Sequence, residues 1–187
     1  MRLSHYRIKP LDEADIGPEI RSMLGDRFRV GPVPMIFRTI GRALKAYKRF
    51  MPWGGYILSE ANDLSPRDRE LVILRTGFNW KSGYEWAQHV RIGKTCGLTD
   101  PEIERIKRSP DTEGWSIEDR MLLRATDELT EDAFVTEQTW LALDFLTEKQ
   151  KMDLVMTVGQ YTQVCMMLNS FGVQLDEDLL ADPDLQK

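Results

Sequence analysis

The sequence predicts an all-α fold. Apolar side chains recur at helical spacing along most of the 187-residue chain, and the alternation typical of strands is not seen. Residues 154–175 carry no formal charge and are apolar around most of the helix circumference. In a water-soluble fold such a segment is typical of a helix enclosed by its neighbours or by a second subunit.

Two periodic segments are found before residue 62. Residues 13–24 and 35–50 have helical periodicity, and prolines at positions 32, 34 and 52 bound or interrupt the second segment. Residues 53–60 are expected to form a short continuation. This part of the chain is therefore predicted to be helical but punctuated.

The next two helices have clear boundary signals. Ser65 is placed to cap the first of them, Pro66 suits its first helical position, and Asp68 favours the positive end of its dipole. That helix should extend to about residue 78. The second should span residues 83–95 and stop where Gly97 supplies a left-handed residue.

The remaining sequence predicts four further helices. A Thr-Asp-Pro start opens a short one at residues 99–101. The other periodic segments are 117–129, 137–145 and 148–168. No stretch between them is long enough to act as a linker between domains.

The composition of the chain limits the number of domains and the kinds of partner that are expected. With 42% apolar residues and no linker, the chain is predicted to be one domain over residues 1–187, with residues 1–12 and 176–187 as terminal extensions. A net charge of -5 argues against nucleic acid as a partner. The N-terminus lacks an apolar signal core, and polar residues interrupt the uncharged segment. We therefore expect a cytoplasmic protein with no membrane span.

The two cysteines are isolated from each other. Cys96 and Cys165 form neither a C-x-x-C motif nor a cluster of metal-ligand spacing. This usage suits a reducing compartment, and each cysteine is interpreted as an ordinary buried thiol that packs as a small apolar side chain.

The candidate catalytic residues lie between positions 67 and 98. Glu85 and His89 are four residues apart and should share one face of their helix. Glu70 lies on the preceding helix in Leu-, Val- and Ile-rich surroundings, where an unpaired carboxylate would be costly. His89 is one of two histidines, so proton chemistry near neutral pH has few other candidates. A nearby carboxylate would raise the pKa of His89 and burial would lower it, and spacing leaves both directions open.

The same region resembles the carboxymuconolactone decarboxylase family, which shares its AhpD-like fold with alkylhydroperoxidases. The resemblance follows five segments in order: RDRELVILR, YEWAQH, GLTDPEIERI, DRMLLRATDEL and LVMTVGQYTQVCMMLNSFGV. It implies an all-α, AhpD-like helical domain that assembles as trimers or hexamers.

The peroxidase branch of this fold differs in its chemistry. Its glutamate matches Glu70 and its distal histidine matches His89, whereas its two redox cysteines fall on Ser82 and Glu85. Thiol peroxidation needs an attacking thiolate and a second thiol that resolves the sulfenic acid, and this motif has neither. The resemblance therefore implies the decarboxylase-like branch, a cofactor-independent lyase associated with the catabolism of aromatic compounds.

In this interpretation His89 is the general acid, and Glu85 and Glu70 orient it or relay protons. The expected substrate is a small lactone or carboxylic acid, and no cofactor or metal is required. A substrate carboxylate would need a cation, but spacing places neither Arg75 nor Arg91 clearly on the face of Glu85 and His89. The candidates for the pocket wall are Tyr84, Trp86 and Ser82.

Other interpretations stay open. The three acid-base side chains could form a structural polar network in a non-catalytic, oligomeric binding or scaffold protein. They could also hold a divalent metal ion, or the chain could be a peroxidase-related protein that lacks the paired thiols. A homo-oligomer is expected, as a trimer or hexamer, because segments 154–175 and 30–57 carry more apolar surface than a small helical monomer covers.

Overall fold

The structure, a computed structural model, describes residues 1–24 and 31–185. Val30, the first residue of the apolar segment 30–57, lies outside the described residues. The last two residues of the C-terminal extension, 186 and 187, also lie outside them. Those described form α-helices and 3-10 turns with no strand, which confirms the all-α prediction. The helices are α1 (Pro18–Arg21), α2 (Met35–Ile40), α3 (Leu44–Ile57), α4 (Pro66–Asn79), α5 (Gly83–Thr95), α6 (Asp100–Ile106), α7 (Ile117–Asp132), α8 (Glu137–Ala142) and α9 (Glu148–Phe171). The 3-10 turns are Glu13–Asp15, Gly41–Ala43 and Pro183–Leu185.

The boundaries of α4 and α5 agree with the local sequence signals. The Ser65 hydroxyl accepts a hydrogen bond from the backbone N–H of Asp68, as a helix cap should. Lys81, with a φ of +51°, turns the chain between the two helices. Gly97, with a φ of +101°, follows the end of α5.

The N-terminal helices are more broken than their periodicity predicts. Gly17 is extended because it precedes a proline, so the expected helix over residues 13–24 divides into a 3-10 turn and the short α1. The expected helix over residues 35–50 breaks at Gly41, where a Cβ atom would stand 2.9 Å from Ile20 Cδ1 of α1. Beyond that break, α3 continues through Pro52 to its end, so the predicted continuation belongs to the same helix.

Helix α9 is the long central helix that the uncharged segment predicts. It packs against α3, α4, α5 and α7 and ends at Gly172, which has a φ of +70°. Met152, Val155 and Met166 are exposed on the face of α9 that is directed away from these helices. The described residues therefore cover only one side of the helix. No helix in the described ranges has the length and apolarity needed to cross a bilayer.

Both terminal segments are bound to the helical body. The backbone N–H groups of Arg7 and Ile8 donate to the carbonyl of Phe171 at the end of α9. Near the other terminus, Asp182 accepts a hydrogen bond from the indole N–H of Trp86 at 3.1 Å. These contacts attach the two predicted extensions to α9 and α5.

Helix α4 is the most enclosed element, with residues 69–77 buried in succession. The charged side chains within it therefore need partners inside the fold. Arg75 makes a two-pronged ion pair with Asp127 of α7, at 2.6 and 2.7 Å, and also donates to the carbonyls of Ile106 and Arg108. The buried carboxylate of α4, Glu70, lies against α5.

Candidate functional site

The three predicted acid-base residues meet inside the protein. His89 Nδ1 lies 2.6 Å from Glu70 Oε2, and His89 Nε2 lies 2.9 Å from Glu85 Oε1. The exposed fractions of the side chains are 7% for His89, 1% for Glu70 and 4% for Glu85. The four-residue spacing thus puts Glu85 beside His89, and α4 brings Glu70 to the other ring nitrogen.

The two carboxylates contact His89 in different ways. Glu70 makes a short hydrogen bond with Nδ1. Glu85 Oε1 is close to Nε2, but it has no hydrogen bond of normal geometry within the described part of the chain. Its contact with the ring is therefore mainly electrostatic, and this oxygen remains able to accept a proton or a hydrogen bond.

The local backbone explains why Glu85 can approach α4 so closely. It lies in the first turn of α5, where the helix dipole favours a negative charge. On the facing helix, a Cβ atom at Gly77 would stand 3.5 Å from Glu85 Cγ. The missing side chain at Gly77 leaves the space that the glutamate stem occupies.

The pKa of His89 is set by two opposing effects. Burial alone would lower it, but the charges of Glu70 and Glu85 and their contacts with the ring prevail and raise the pKa to about 10. His89 is therefore an imidazolium at neutral pH. Two carboxylates around one imidazolium leave the group with one formal negative charge.

A cavity of about 360 Å³ opens beside this group, between α3, α5 and α9. His89 and Glu85 line it, whereas Glu70 lies behind His89 and contributes nothing to the wall. Most of the remaining lining is apolar or aromatic. It includes Ile36, Phe37, Phe50, Met51, Tyr161 and Val164.

Helix α9 supplies part of the site that sequence reasoning missed. The rings of Tyr161 and His89 meet edge to face, with centroids 4.9 Å apart. Gln160 also lines the cavity, is 4% exposed, and has an Oε1 atom with no hydrogen-bond partner among the residues described. The available signal is a polar side chain within the uncharged segment 154–175, and Thr162 and Gln163 give the same signal.

The predicted pocket-wall residues divide into one that lines the cavity and two that do not. Tyr84 lines it, and its hydroxyl donates to Asp176 at 2.7 Å. Trp86 instead packs in the core against Phe78, because one further residue along α5 turns the side chain away from the face of Glu85. Ser82 is fully buried at the start of α5. The assignments of Trp86 and Ser82 to the wall are therefore corrected.

Arg91 also differs from expectation. It lines the same cavity as Glu85 and His89, because its long side chain reaches the cavity from two residues beyond His89. Its guanidinium is 2.7 Å from Asp178, and the side chain is 42% exposed. Arg91 thus places a cation at the cavity, already paired with a carboxylate.

Neither cysteine lines the cavity. Cys165 is buried on α9, and burial raises the pKa of its thiol well above the usual value. Cys96 follows the end of α5 among exposed residues and is only half-buried, which corrects its interpretation as a buried thiol. The two thiols are not bonded to each other. Within residues 1–24 and 31–185, no group of three or more His, Cys, Asp or Glu side chains has an arrangement suited to a metal ion.

Comparison with known proteins agrees with the fold. Residues 45–127 match the model of the Carboxymuconolactone decarboxylase family. This segment contains Glu70, Glu85 and His89, whereas α9 lies outside it. Among curated protein sequences, no significant relative is found.

Several solved structures have the same fold. An alkylhydroperoxidase AhpD core protein from Ralstonia eutropha JMP134, described as an uncharacterized peroxidase-related protein, is 16% identical and covers 93% of this chain and 95% of its own, with a TM-score of 0.79. The debrominase Bmp8 is 12% identical over 94% of this chain and 95% of its own, with a TM-score of 0.74. A protein of unknown function from Agrobacterium tumefaciens is 17% identical over 74% and 96%, with a TM-score of 0.68. At these identities the likeness shows the AhpD-like fold.

Proposed function

Since residues 45–127 match the model of the Carboxymuconolactone decarboxylase family, we propose that the protein is a cofactor-independent lyase or isomerase that transfers a proton to a small lactone or carboxylic acid. The observation that carries this proposal is the buried Glu70, His89 and Glu85 group at the wall of an apolar cavity. It combines a charged proton donor with a space from which a bound molecule would exclude water.

His89 acts as the general acid. Its Nδ1 is engaged by Glu70, so the Nε2 proton is the one that can reach a molecule in the cavity. In a decarboxylation, the bond to the departing carboxylate breaks, carbon dioxide leaves, and the electron pair delocalises onto a conjugated lactone carbonyl. His89 then delivers a proton to carbon, which completes the product, and recovers a proton from water.

Glu70 and Glu85 have separate roles in this scheme. Glu70 is a positioning residue, because it fixes the ring through a buried hydrogen bond and does not reach the cavity. Glu85 lines the cavity beside Nε2, where its carboxylate can accept a proton from water and pass it to the neutral ring after transfer. Arg91, whose guanidinium is paired with Asp178, is the side chain in the lining that could exchange its partner for a substrate carboxylate.

Substitution of His89 tests the proposal directly. In turnover assays with candidate lactone acids, His89→Ala should lose about a hundredfold or more in kcat, and His89→Gln should not restore it, because an amide cannot exchange the proton. The matched control is His5→Ala, at the exposed second histidine. Full activity in a folded His89→Ala protein would end the catalytic interpretation.

The same variants test the two alternatives. A structural network in a scaffold protein would lower the melting temperature of the His89 variants, with no lactone or small carboxylate bound by the wild type. A metal centre would give a metal stoichiometry near one in protein purified without added ions. A metal stoichiometry near zero in protein that retains turnover would exclude a metal centre.

A further inference from the structure

Gln160 Oε1 on α9 is an unpaired acceptor in the wall of the cavity. Gln160 is 4% exposed, and this oxygen has no hydrogen-bond partner among the residues described. A buried acceptor without a donor costs roughly 1–3 kcal/mol, so Gln160 Oε1 favours a ligand that supplies a donor. Glu85 Oε1, by contrast, already lies 2.9 Å from Nε2 of the His89 imidazolium.

The charged groups of the lining already have partners. The imidazolium of His89 lies between two carboxylates. Arg91 is paired with Asp178 and also donates to Gln88. Gln160 Oε1 is therefore available to pair with a donor group of a ligand.

The Gln160 side chain lies in the cavity wall, where it can contact a polar group of a ligand. Its Nε2 atom lies near α3, 3.7 Å from the position that a Cβ atom at Gly54 would occupy. Its neighbour Tyr161 packs against the ring of His89. The side chain that could accept a hydrogen bond thus belongs to the same wall that positions the proton donor.

We infer that a molecule bound in the cavity presents a hydroxyl or N–H group to Gln160 Oε1. Gln160 is then a specificity-determining residue. This inference rests on the proposed function in taking the cavity as the substrate site, and it narrows the substrate class to lactones or carboxylic acids that also carry a hydroxyl or N–H group.

Binding of two simple probes tests this inference without any turnover. Phenol supplies a hydroxyl donor, and anisole has the same ring with the donor methylated. Isothermal titration of the wild-type protein should show phenol binding roughly tenfold more tightly than anisole, which corresponds to one hydrogen bond. Gln160→Met keeps the length of the side chain, removes the acceptor, and should reduce the preference of phenol over anisole severalfold.

The matched control is Gln163→Met, on the exposed face of the same helix, which should keep the wild-type preference. Equal binding of phenol and anisole would overturn the inference, and so would the absence of phenol binding at millimolar concentration. So would an unchanged preference in a folded Gln160→Met protein. The proposed function fails by a different result, the retention of turnover in His89→Ala, so the two failures are distinguishable.

Discussion

Glu70 Oε2 accepts the Nδ1 proton of His89 at 2.6 Å across the contact between α4 and α5, behind the wall of the cavity. Both side chains are buried, so rotation of the imidazole would leave a buried carboxylate unpaired. The hydrogen bond therefore fixes which nitrogen of His89 faces the cavity. It also supplies part of the negative charge that keeps the ring protonated.

Replacing Glu70 with Gln should separate orientation from charge. The amide oxygen can still accept from Nδ1, but the loss of one negative charge lowers the pKa of His89 from about 10. We expect kcat to fall roughly tenfold to a hundredfold with little change in KM. The basic limb of the kcat/KM profile should move to lower pH. An unchanged rate and an unchanged pH profile would contradict this role.

Stability should depend on pH through His89. Its pKa is about 6.5 in the unfolded chain and about 10 in the folded one, so the folded state binds an extra proton between these values. The stabilisation is complete below pH 6.5 and is lost as pH rises toward 10. As the pH rises from 7 to 9, loss of this stabilisation by His89 should lower the free energy of unfolding by roughly 1 kcal/mol per pH unit. Urea unfolding at a series of pH values measures this slope.

The exposed second histidine provides the control for that experiment. His5→Gln should leave the slope unchanged and should also allow the imidazole NMR signals to be assigned. At pH 8 the His89 ring should still give the signals of an imidazolium. A neutral His89 ring at pH 8 would show that burial, and not the two carboxylates, dominates its pKa.

The two cysteines should be dispensable for activity. Replacing Cys96 and Cys165 together with Ala is expected to leave turnover largely intact, since neither thiol lines the cavity. Removal of the buried Cys165 thiol should cost about 1 kcal/mol in packing. Loss of activity in a folded double variant would show that a thiol takes part in the reaction, and the single variants would identify which one.

Arg75 should be a major determinant of stability and not of catalysis. Arg75→Met removes the cation from Asp127, which keeps its hydrogen bond from Asn79, and leaves the carbonyls of Ile106 and Arg108 without this donor, at a cost of about 3 kcal/mol. The matched control is Arg124→Met, whose ion pair with Asp111 is exposed and should contribute at most about 1 kcal/mol. Chemical denaturation measures both. Equal effects would show that burial of the ion pair is unimportant.

The protein is expected to be a trimer or a hexamer. Besides the exposed methionines of α9, Trp53 of α3 is 41% exposed beside a groove that Phe50 and Met167 line. Such surface is typical of contacts between subunits. Light scattering at micromolar concentration should give a multiple of the 21.7 kDa chain mass. A monomer mass would refute the expectation.

The interrupted N-terminal helices show that helical periodicity alone does not predict where a helix breaks. Their apolar spacing predicts two continuous helices, but the break at Gly41 lies where Ile20 packs against the backbone. That contact joins residues distant in sequence, so helical periodicity does not encode it. The ends of α4 and α5, by contrast, depend on caps and turns within a few residues, and the sequence predicts them well.

The pairing of Glu85 with His89 is determined by the sequence itself, because four residues along a helix bring two side chains to one face. The distance from Glu70 to His89 and the wall that Tyr161 and Gln160 provide depend on how α4 and α9 pack against α5. The protonation of His89 likewise required the tertiary structure. Its pKa is a balance between burial and two nearby charges, and both the burial and the charge of Glu70 act on His89 only when the other helices are packed against α5.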